Sequence, residues 1–281
     1  MQKAIKRYYA LFTLPTVIAF AISFLVPFVM GIYLSFTEFT TVTNAKWVGL
    51  KNYITAFTSS GDFINSLWFT FRFTVVSVIT INLLAFLLAL LLTRGIRGTN
   101  LFRTVFFMPN LIGGIVLGYI WQLIINGFLY QFEATITTKA EYGFWGLVLL
   151  MNWQMIGYMM IIYIAAIQNI PSEMLDAAAV DGATPAQTLL KIKLPFVMPA
   201  ITICTFLTLT NSFKLFDQNL ALTAGAPSKQ TEMLALNIYN TFYGRTGFEG
   251  VGQAKAVVFF VLVGAFALVQ LVLSRRREVE F

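Results

Sequence analysis

Long apolar runs separated by short polar segments dominate this sequence. A helix needs about 20 mostly apolar residues to cross roughly 30 Å of hydrocarbon. Six runs meet that length, at residues 9–36, 63–93, 102–126, 144–168, 197–222 and 252–274. The segments between them are too short for a soluble domain. The pattern therefore predicts an all-α, polytopic membrane protein, with six transmembrane helices in one transmembrane domain over residues 1–281.

Composition supports this class. Hydrophobic residues make up 58% of the chain and charged residues 11%, whereas about a quarter of the residues of a soluble domain are charged. Basic residues precede the first apolar run, as in a secretory signal. That run is too long for a signal, contains Pro15 and Pro27, and lacks a small-residue cleavage site. We therefore expect an uncleaved first helix.

The net charge of +7 reflects topology. In a six-span arrangement, one side carries eleven basic residues: Lys3, Lys6, Arg7, Arg94, Arg97, Arg103, Lys191, Lys193, Arg275, Arg276 and Arg277. The other side carries Lys46, Lys51, Lys139, Lys229, Arg245 and Lys255, spread over longer segments. The positive-inside rule then places both termini in the cytoplasm. A nucleic-acid-binding patch is not needed to explain the basic excess.

The sequence lacks the residues typical of a metal site, an internal disulfide or ATP hydrolysis. Histidine is absent, and Cys204, the one cysteine, lies inside a predicted span. We therefore predict no metal site, no cofactor and no internal disulfide. The sequence also has no G-x-x-x-x-G-K-[ST] phosphate loop, so ATP hydrolysis would belong to another chain.

The predicted cytoplasmic segment 169–196 is more polar than its neighbours. Helix propensity is high over 172–180, and Gly182 favours a break. Thr184, Pro185 and Gln187 form an N-cap, a first-turn proline and a capping-box partner. The pattern predicts two short helices joined at Gly182, as a docking surface for a cytoplasmic partner. The alternative is an amphipathic helix on the bilayer surface.

The same segment carries a family resemblance. Asp176-Ala177-Ala178, Gly182 and Ile192-x-Leu194-Pro195 match in spacing the EAA loop of binding-protein-dependent ABC importer permeases, with Asp in place of the usual Glu. Further matches are Val48-Gly49-Leu50-x-Asn52-Tyr53, Phe102-Arg103-x-x-Phe106-Phe107-x-Pro109, Phe213-Lys214-x-Phe216-Asp217 and Leu222-Thr223-x-Gly225-x-Pro227. The whole resembles the carbohydrate-uptake, maltose-type branch, and within it the first of the two permease partners.

This resemblance implies a type I ABC importer permease fold and a set of partners. They are a second homologous permease subunit, two cytoplasmic ATP-binding subunits, an extracytoplasmic solute-binding protein, a sugar substrate and the membrane lipid, with no nucleic acid. It implies that the loop is a coupling helix seated on the ATPase. The implied coupling residues are Asp176, Ala177, Ala178, Asp181, Gly182, Ile192, Leu194 and Pro195.

Ionisable side chains inside predicted spans are costly and mark candidate sites. Arg72 lies near one end of the second span, so snorkelling to the interface explains it. Lys214 and Asp217 stand three apart on the predicted fifth span. They would pair with each other or contact the substrate, and the sequence leaves both readings open.

Polar and aromatic residues at similar depths on the fourth and fifth spans suggest a solute path. Aromatic rings beside amide and hydroxyl groups suit a sugar, which presents apolar C–H faces and a hydroxyl rim. In the family resemblance, Trp153, Tyr158, Thr208 and Ser212 align with substrate-lining positions. The predicted lining residues are Asn152, Trp153, Tyr158, Thr208, Asn211, Ser212, Lys214 and Asp217. Hydrogen bonding between helices is the competing explanation for each of them.

The sequence thus predicts one permease subunit of an ATP-driven importer for a sugar, an oligosaccharide in particular, and not an enzyme. One alternative is the same architecture for a non-sugar solute such as an amino acid or polyamine. The other is an ion-driven secondary transporter, which the lack of histidine and the scarcity of carboxylates within the spans disfavour.

Overall fold

The computed structural model of the chain describes residues 13–59 and 61–275. Its helices are α1 (Thr13–Leu34), α2 (Lys51–Thr58), α3 (Asp62–Leu92), α4 (Thr99–Phe107), α5 (Gly114–Leu129), α6 (Ala140–Gln168), α7 (Ser172–Val180), α8 (Pro185–Phe213), α9 (Asp217–Leu222), α10 (Leu234–Gly244) and α11 (Glu249–Arg275). A two-stranded antiparallel hairpin, β1 (Thr37–Glu38) and β2 (Lys46–Trp47), is the sheet found in the described chain.

Six of these helices are long and apolar enough to cross a membrane: α1, α3, α5 with the turn that follows it, α6, α8 and α11. The predicted all-α class and the six spans are therefore confirmed. The predicted orientation of the termini depends partly on Lys3, Lys6, Arg7, Arg276 and Arg277, which lie outside the described residues. That orientation stays a prediction.

The third span begins later than residue 102. Residues 99–107 form the separate helix α4, which is followed by a 3₁₀ turn at Met108–Leu111. Pro109 has no backbone N–H to donate. The chain is extended at Ile112 and Gly113, and α5 begins at Gly114. The proline and the extended pair thus divide the apolar run in two.

The fifth span is also shifted, to Pro185–Phe213 in place of 197–222. The predicted second short helix forms the first turns of this span. It therefore continues past Leu194 and Pro195 and is not a separate element. A π turn at Leu189–Lys193 directly precedes the proline. Proline cannot donate a backbone hydrogen bond, and a π turn beside it changes the local hydrogen-bond spacing, so the helix continues past the proline.

The described chain forms two compact units. The first contains the residues up to Phe63 together with Ile238–Val261, and the second contains Ile64–Asn237 and the residues from Leu262 onward. In the first unit, Phe28 of α1 packs against Phe260 of α11, with ring centroids 5.0 Å apart. Lys255, which we counted with the external charges, is buried and donates to Thr241 Oγ1 at 2.9 Å.

The second unit has a core built around α6, α3 and α8. Its fully buried side chains include Phe73, Ile81, Leu150, Met151, Met159, Tyr163, Val197 and Cys204. Helix α4 packs directly on α6 at Gly157, where a β-carbon would collide with the carbonyl group of Phe106. Glycine at position 157 therefore sets the close approach of α4, which carries the chain towards Asn110.

Candidate functional site

A polar cleft opens in the second unit where two helices are interrupted. We call it the polar cleft and define it by the residues that line it: Asn110, Met151, Gln154, Met155, Asn211, Lys214, Leu215 and Gln218. Its volume is about 210 Å³. Amide groups, one ammonium group and two thioethers meet there, so the cleft combines hydrogen-bonding groups with an apolar wall.

Both interruptions of the backbone lie at this cleft. Asn110 belongs to the 3₁₀ turn between α4 and α5. Lys214 and Leu215 follow the end of α8, before α9 begins at Asp217. Within a membrane-spanning region, non-helical backbone is tolerated only where it is buried in protein or lines a polar cavity. Broken helices of this kind mark solute sites in membrane transporters.

Helix α9 is fixed by close contact with α5. Gly114 and Gly118, four residues apart, face α9, and a β-carbon at either position would press against Asp217, Gln218 or Ala221. Gln122 Nε2 adds a hydrogen bond to the Leu222 carbonyl at 2.9 Å. Small residues at this spacing let two helices approach closely. The α5–α9 contact thereby holds Gln218 at the cleft.

Hydrogen bonds within the cleft join its elements. Gln218 Nε2 donates to Gln154 Oε1 at 2.8 Å, and Gln154 Nε2 donates to the Ile112 carbonyl at 3.4 Å. Asn211 Nδ2 donates to the carbonyl of Leu207 at 2.8 Å, and the residue is exposed. The cleft thus has both donors and acceptors that a polyhydroxyl ligand can use.

The charges at the cleft are arranged differently from our prediction. Lys214 and Asp217 do not share a helix, because α8 ends at Phe213 and α9 starts at Asp217. Both are described residues, and no ion pair joins them; both side chains are exposed. The two side chains therefore do not form the ion pair that was one of the two readings of the sequence. The Lys214 ammonium lines the cleft without a bound carboxylate, and substrate contact remains the open reading.

Other predicted lining residues lie in the interior of the second unit. Five polar residues form what we call the interior set, which links α3 to α6 and α8: Thr80, Asn82, Asn152, Tyr163 and Thr208.

Three hydrogen bonds between helices involve this set. Tyr163 Oη donates to Asn82 Oδ1 at 2.7 Å, and Asn82 Nδ2 donates to Thr208 Oγ1 at 3.3 Å. Asn152 Nδ2 donates to Thr80 Oγ1 at 3.0 Å. The structure therefore places Asn152 and Thr208 in hydrogen bonds between helices. Ser212 is also fully buried, and its Oγ has no partner.

The two predicted aromatic residues lie at the edges of this region. Trp153 is exposed and meets Trp121 edge to face, with ring centroids 5.6 Å apart. Tyr158 is half-buried and lies 6.4 Å from the ring of Phe107. Arg72, the third charged residue that the sequence analysis singled out, is exposed, and its guanidinium lies 5.9 Å from the Phe144 ring centroid.

The second candidate surface is the coupling segment, which we define as residues 170–195. Helix α7 ends at Val180, and Gly182 adopts a left-handed φ of +70°. Thr184 Oγ1 accepts from the Gln187 N–H at 3.3 Å, and Gln187 Oε1 accepts from the Thr184 N–H at 2.7 Å. The predicted first helix, glycine turn and capping box are confirmed.

Helix α7 presents one face outward and one inward. Asp176, Ala177 and Asp181 are exposed, and Val180 is 88% exposed. Ala178 is buried, so it supports the helix from within. The exposed side of α7 and the turn after it thus carry two carboxylates beside an apolar side chain.

The inner side of the segment faces a cavity of about 500 Å³. Its lining includes Leu175 and Ala179 of α7 together with Arg94 and Lys193. Ile192 packs against the hydrophobic core of the second unit, and Leu194 and Pro195 are half-buried at the base of the long part of α8. The residues at 192–195 therefore join the segment to a membrane helix.

Sequence reasoning missed part of the cleft. Asn110 and Gln218 were not predicted, although Asn110 follows the Phe102–Pro109 motif and Gln218 follows Asp217. The signal that points to Asn110 is the preceding Pro109, which interrupts a long apolar run, whereas no local signal of this kind precedes Gln218. Among the described residues, no group of three or more His, Cys, Asp or Glu could hold a metal ion.

Comparison with known families adds independent evidence. Residues 94–279 match the model of the family described as binding-protein-dependent transport system inner membrane component. This stretch includes the coupling segment and every residue of the polar cleft. It covers well over half of the chain.

Individual relatives are also named as permeases of transport systems. The chain is 43% identical over 281 residues to a probable starch degradation products transport system permease protein of Thermoanaerobacterium thermosulfurigenes, covering 97% of this chain and 96% of that protein. It is 29% identical over 290 residues to a multiple sugar-binding transport system permease protein of Streptococcus mutans, covering 99% of both.

A solved structure shares the fold. It is the crystal structure of a bacterial alginate ABC transporter in complex with an alginate pentasaccharide-bound periplasmic protein. The TM-score is 0.81 at 22% identity, and the match covers 98% of this chain and 97% of that one. The predicted importer permease fold is confirmed.

Proposed function

This chain belongs to the binding-protein-dependent transport system inner membrane component family, and from that premise we propose that it forms half of the translocation path of an ATP-driven sugar importer. It is a multi-pass protein of the cell membrane and is not itself the ATPase. The observation that carries the proposal is the polar cleft, because its amides and lysine lie where two helices break.

The chemistry of the cleft suits a carbohydrate. Gln154, Gln218 and Asn211 supply amide donors and acceptors for hydroxyl groups, and Met151 and Met155 supply an apolar wall for C–H faces. Two relatives are named as permeases for starch degradation products and for multiple sugars. An oligosaccharide from starch is therefore the first substrate to test.

The size of the cleft supports a shared site. Small-molecule pockets usually hold about 300–1,000 Å³, whereas this cleft holds about 210 Å³. We propose that a second homologous permease subunit completes it. The whole chain acts as one permease domain in this proposal, and a solute-binding protein delivers the sugar to the pair.

The coupling segment is proposed to bind a cytoplasmic ATPase subunit. Asp176 and Val180 lie on the exposed side of α7, and exposed Asp181 directly follows the helix. Gly182 fixes the angle between α7 and α8. Because α8 runs without interruption from Pro185 to Phe213, a displacement of its N-terminus moves Asn211 and Lys214 at its other end. One continuous helix thus links the ATPase side to the cleft.

The proposal is tested by uptake into vesicles. The chain is purified with its copurifying subunits, reconstituted, and assayed with radiolabelled maltooligosaccharide and the binding protein. We expect uptake that requires ATP inside and survives collapse of ion gradients. Uptake driven by an ion gradient without ATP would refute the proposal that the chain belongs to an ATP-driven importer. ATP-dependent uptake of an amino acid or polyamine, but not of a sugar, would support the ATP-driven importer and refute the proposal that its substrate is a sugar.

The coupling segment has its own test. Asp176→Lys places a cation where we expect donors from the ATPase, and like-charge contact across an interface costs several kcal/mol. We expect loss of the ATPase subunits on copurification with normal membrane insertion. Asp176→Glu is the matched control, since it restores the usual residue of EAA loops. Equal ATPase recovery with Asp176→Lys and with the wild-type chain would contradict the proposal.

A further inference from the structure

The first unit carries an exposed apolar stripe outside the six spans. We call it the α2 stripe and define it as Trp47, Leu50, Ile54 and Phe57. Trp47 is 63% exposed, and Leu50 and Ile54 are each 62% exposed. Residues 50, 54 and 57 share one face of a helix by the 3.6-residue repeat. The opposite face is buried, because Asn52 and Ala56 both point inward.

Hydrogen bonds fix the orientation of this helix. Asn52 Nδ2 donates to the carbonyl oxygens of Ser35 and Thr37 at 3.0 and 2.8 Å. The hydroxyl groups of Tyr53 and Ser35 lie 2.6 Å apart and form a further hydrogen bond. Gly49 permits the turn into α2 with a φ of +60°. Helix α2 therefore cannot rotate to bury its stripe without losing these buried bonds.

The same bonds hold α2 at the end of a membrane span. Ser35 and Thr37 directly follow α1, which ends at Leu34. Trp47 packs against Tyr33 and Phe36, with ring centroids 5.9 and 5.4 Å apart. Tryptophan and tyrosine concentrate at the level where a membrane helix leaves the hydrocarbon. The aromatic group therefore places α2 at the membrane interface.

The charges beside the stripe suit a lipid surface. Lys46 and Lys51 are exposed at the two sides of the turn that leads into α2. Glu38, the acidic residue of the hairpin, pairs with Lys51 at 3.2 Å. Trp47 connects the stripe to Tyr33 of α1, which is also exposed. An amphipathic helix flanked by lysines is typical of interfacial membrane contact.

We propose that α2 is an interfacial anchor whose stripe inserts into the lipid headgroup and acyl boundary at the C-terminal end of α1. The lipid bilayer is the partner of this surface. Insertion of Leu50, Ile54 and Phe57 fixes the height of α1 relative to the bilayer. The proposal is independent of the transported solute, since it concerns only lipid contact.

Site-directed spin labelling tests this anchor. The full chain with its copurifying subunits is reconstituted in vesicles of phosphatidylethanolamine and phosphatidylglycerol, in a Cys204→Ala background. A nitroxide is attached at Ile54→Cys, and collision rates are measured with oxygen, which partitions into lipid, and with a water-soluble nickel complex. The matched control is Ser59→Cys, an exposed polar position just after the same helix, off the stripe.

We expect the oxygen-to-nickel collision ratio at Ile54→Cys to exceed that at Ser59→Cys several-fold. A ratio equal to or below the control would mean that the stripe lies in water and would overturn the proposal. Low collision with both reagents would mean that a protein covers the stripe, and would overturn it in favour of a subunit or binding-protein contact. Phe57→Cys supplies the same readout if Ile54→Cys fails to assemble.

Discussion

The interior set and the polar cleft lie in the same unit and draw polar side chains from the same two helices, α6 and α8, yet they differ in their partners. In the interior set, Asn82 has a partner for both ends of its amide. In the cleft, Lys214 has no carboxylate partner and Asn211 bonds only within its own helix. The cleft therefore leaves Lys214 and the Asn211 amide available to a solute, whereas both ends of the Asn82 amide are bonded to other parts of the protein.

Two asparagines offer a matched pair for this comparison. Asn82 and Asn211 each donate Nδ2 to the carbonyl four residues earlier at 2.8 Å. Only Asn82 also accepts from Tyr163 and donates to Thr208. The two residues thus share a local geometry and differ in their contacts with other helices.

The largest expected effect is on stability, at Asn82→Leu. The substitution strands the buried Tyr163 hydroxyl, and an unsatisfied buried polar group costs about 1–3 kcal/mol. We expect a clear fall in the free energy of unfolding and in the yield of folded protein, measured by thermal unfolding of the purified complex. Asn211→Leu should leave both nearly unchanged. Equal destabilisation by the two substitutions would contradict the distinction between the set and the cleft.

The second effect is on transport, at Lys214→Met. Hydrogen bonds to charged groups contribute about 1.5–3 kcal/mol, so we expect the apparent KM for the sugar to rise about tenfold or more. Thermal stability should stay the same, because Lys214 is exposed and bears no ion pair. Lys139→Met, which removes the same charge at the start of α6 and outside the cleft lining, is the control. An unchanged KM would show that Lys214 does not contact the transported sugar.

The smallest effect is expected at Ser212→Ala. The Ser212 hydroxyl is buried without a partner, so its removal relieves a desolvation cost and leaves a methyl group in place. We expect a stability change within about 1 kcal/mol and normal uptake. A strong loss of uptake at normal stability would instead place Ser212 on the solute path, as its alignment in the sequence suggested.

The sequence predicted the coupling segment more accurately than the cleft. Gly182, Thr184, Pro185 and Gln187 act through local rules of turns and caps, which depend on a few neighbouring residues. The structure reproduces the first helix, the turn and the cap. It differs only where the π turn lets α8 continue past Pro195, a feature that no local pattern specifies.

The cleft depends on contacts between distant parts of the chain. Gln218 reaches Gln154, 64 positions earlier, because Gly114 and Gly118 let α9 press against α5. Hydropathy placed Lys214 and Asp217 on one helix, since the run from 197 to 222 is apolar enough to span. The break after Phe213 comes from tertiary packing, which the polarity of the run does not reveal.

The central claim is that the polar cleft faces the transported sugar, and cysteine protection tests it most directly. Gln218→Cys in a Cys204→Ala background is labelled with a water-soluble maleimide in the reconstituted transporter, with and without the sugar that drives uptake and its binding protein. We predict that the sugar slows labelling several-fold, while labelling at Ser59→Cys in the first unit is unaffected. Equal labelling rates at Gln218→Cys with and without a sugar that is demonstrably transported would contradict the account.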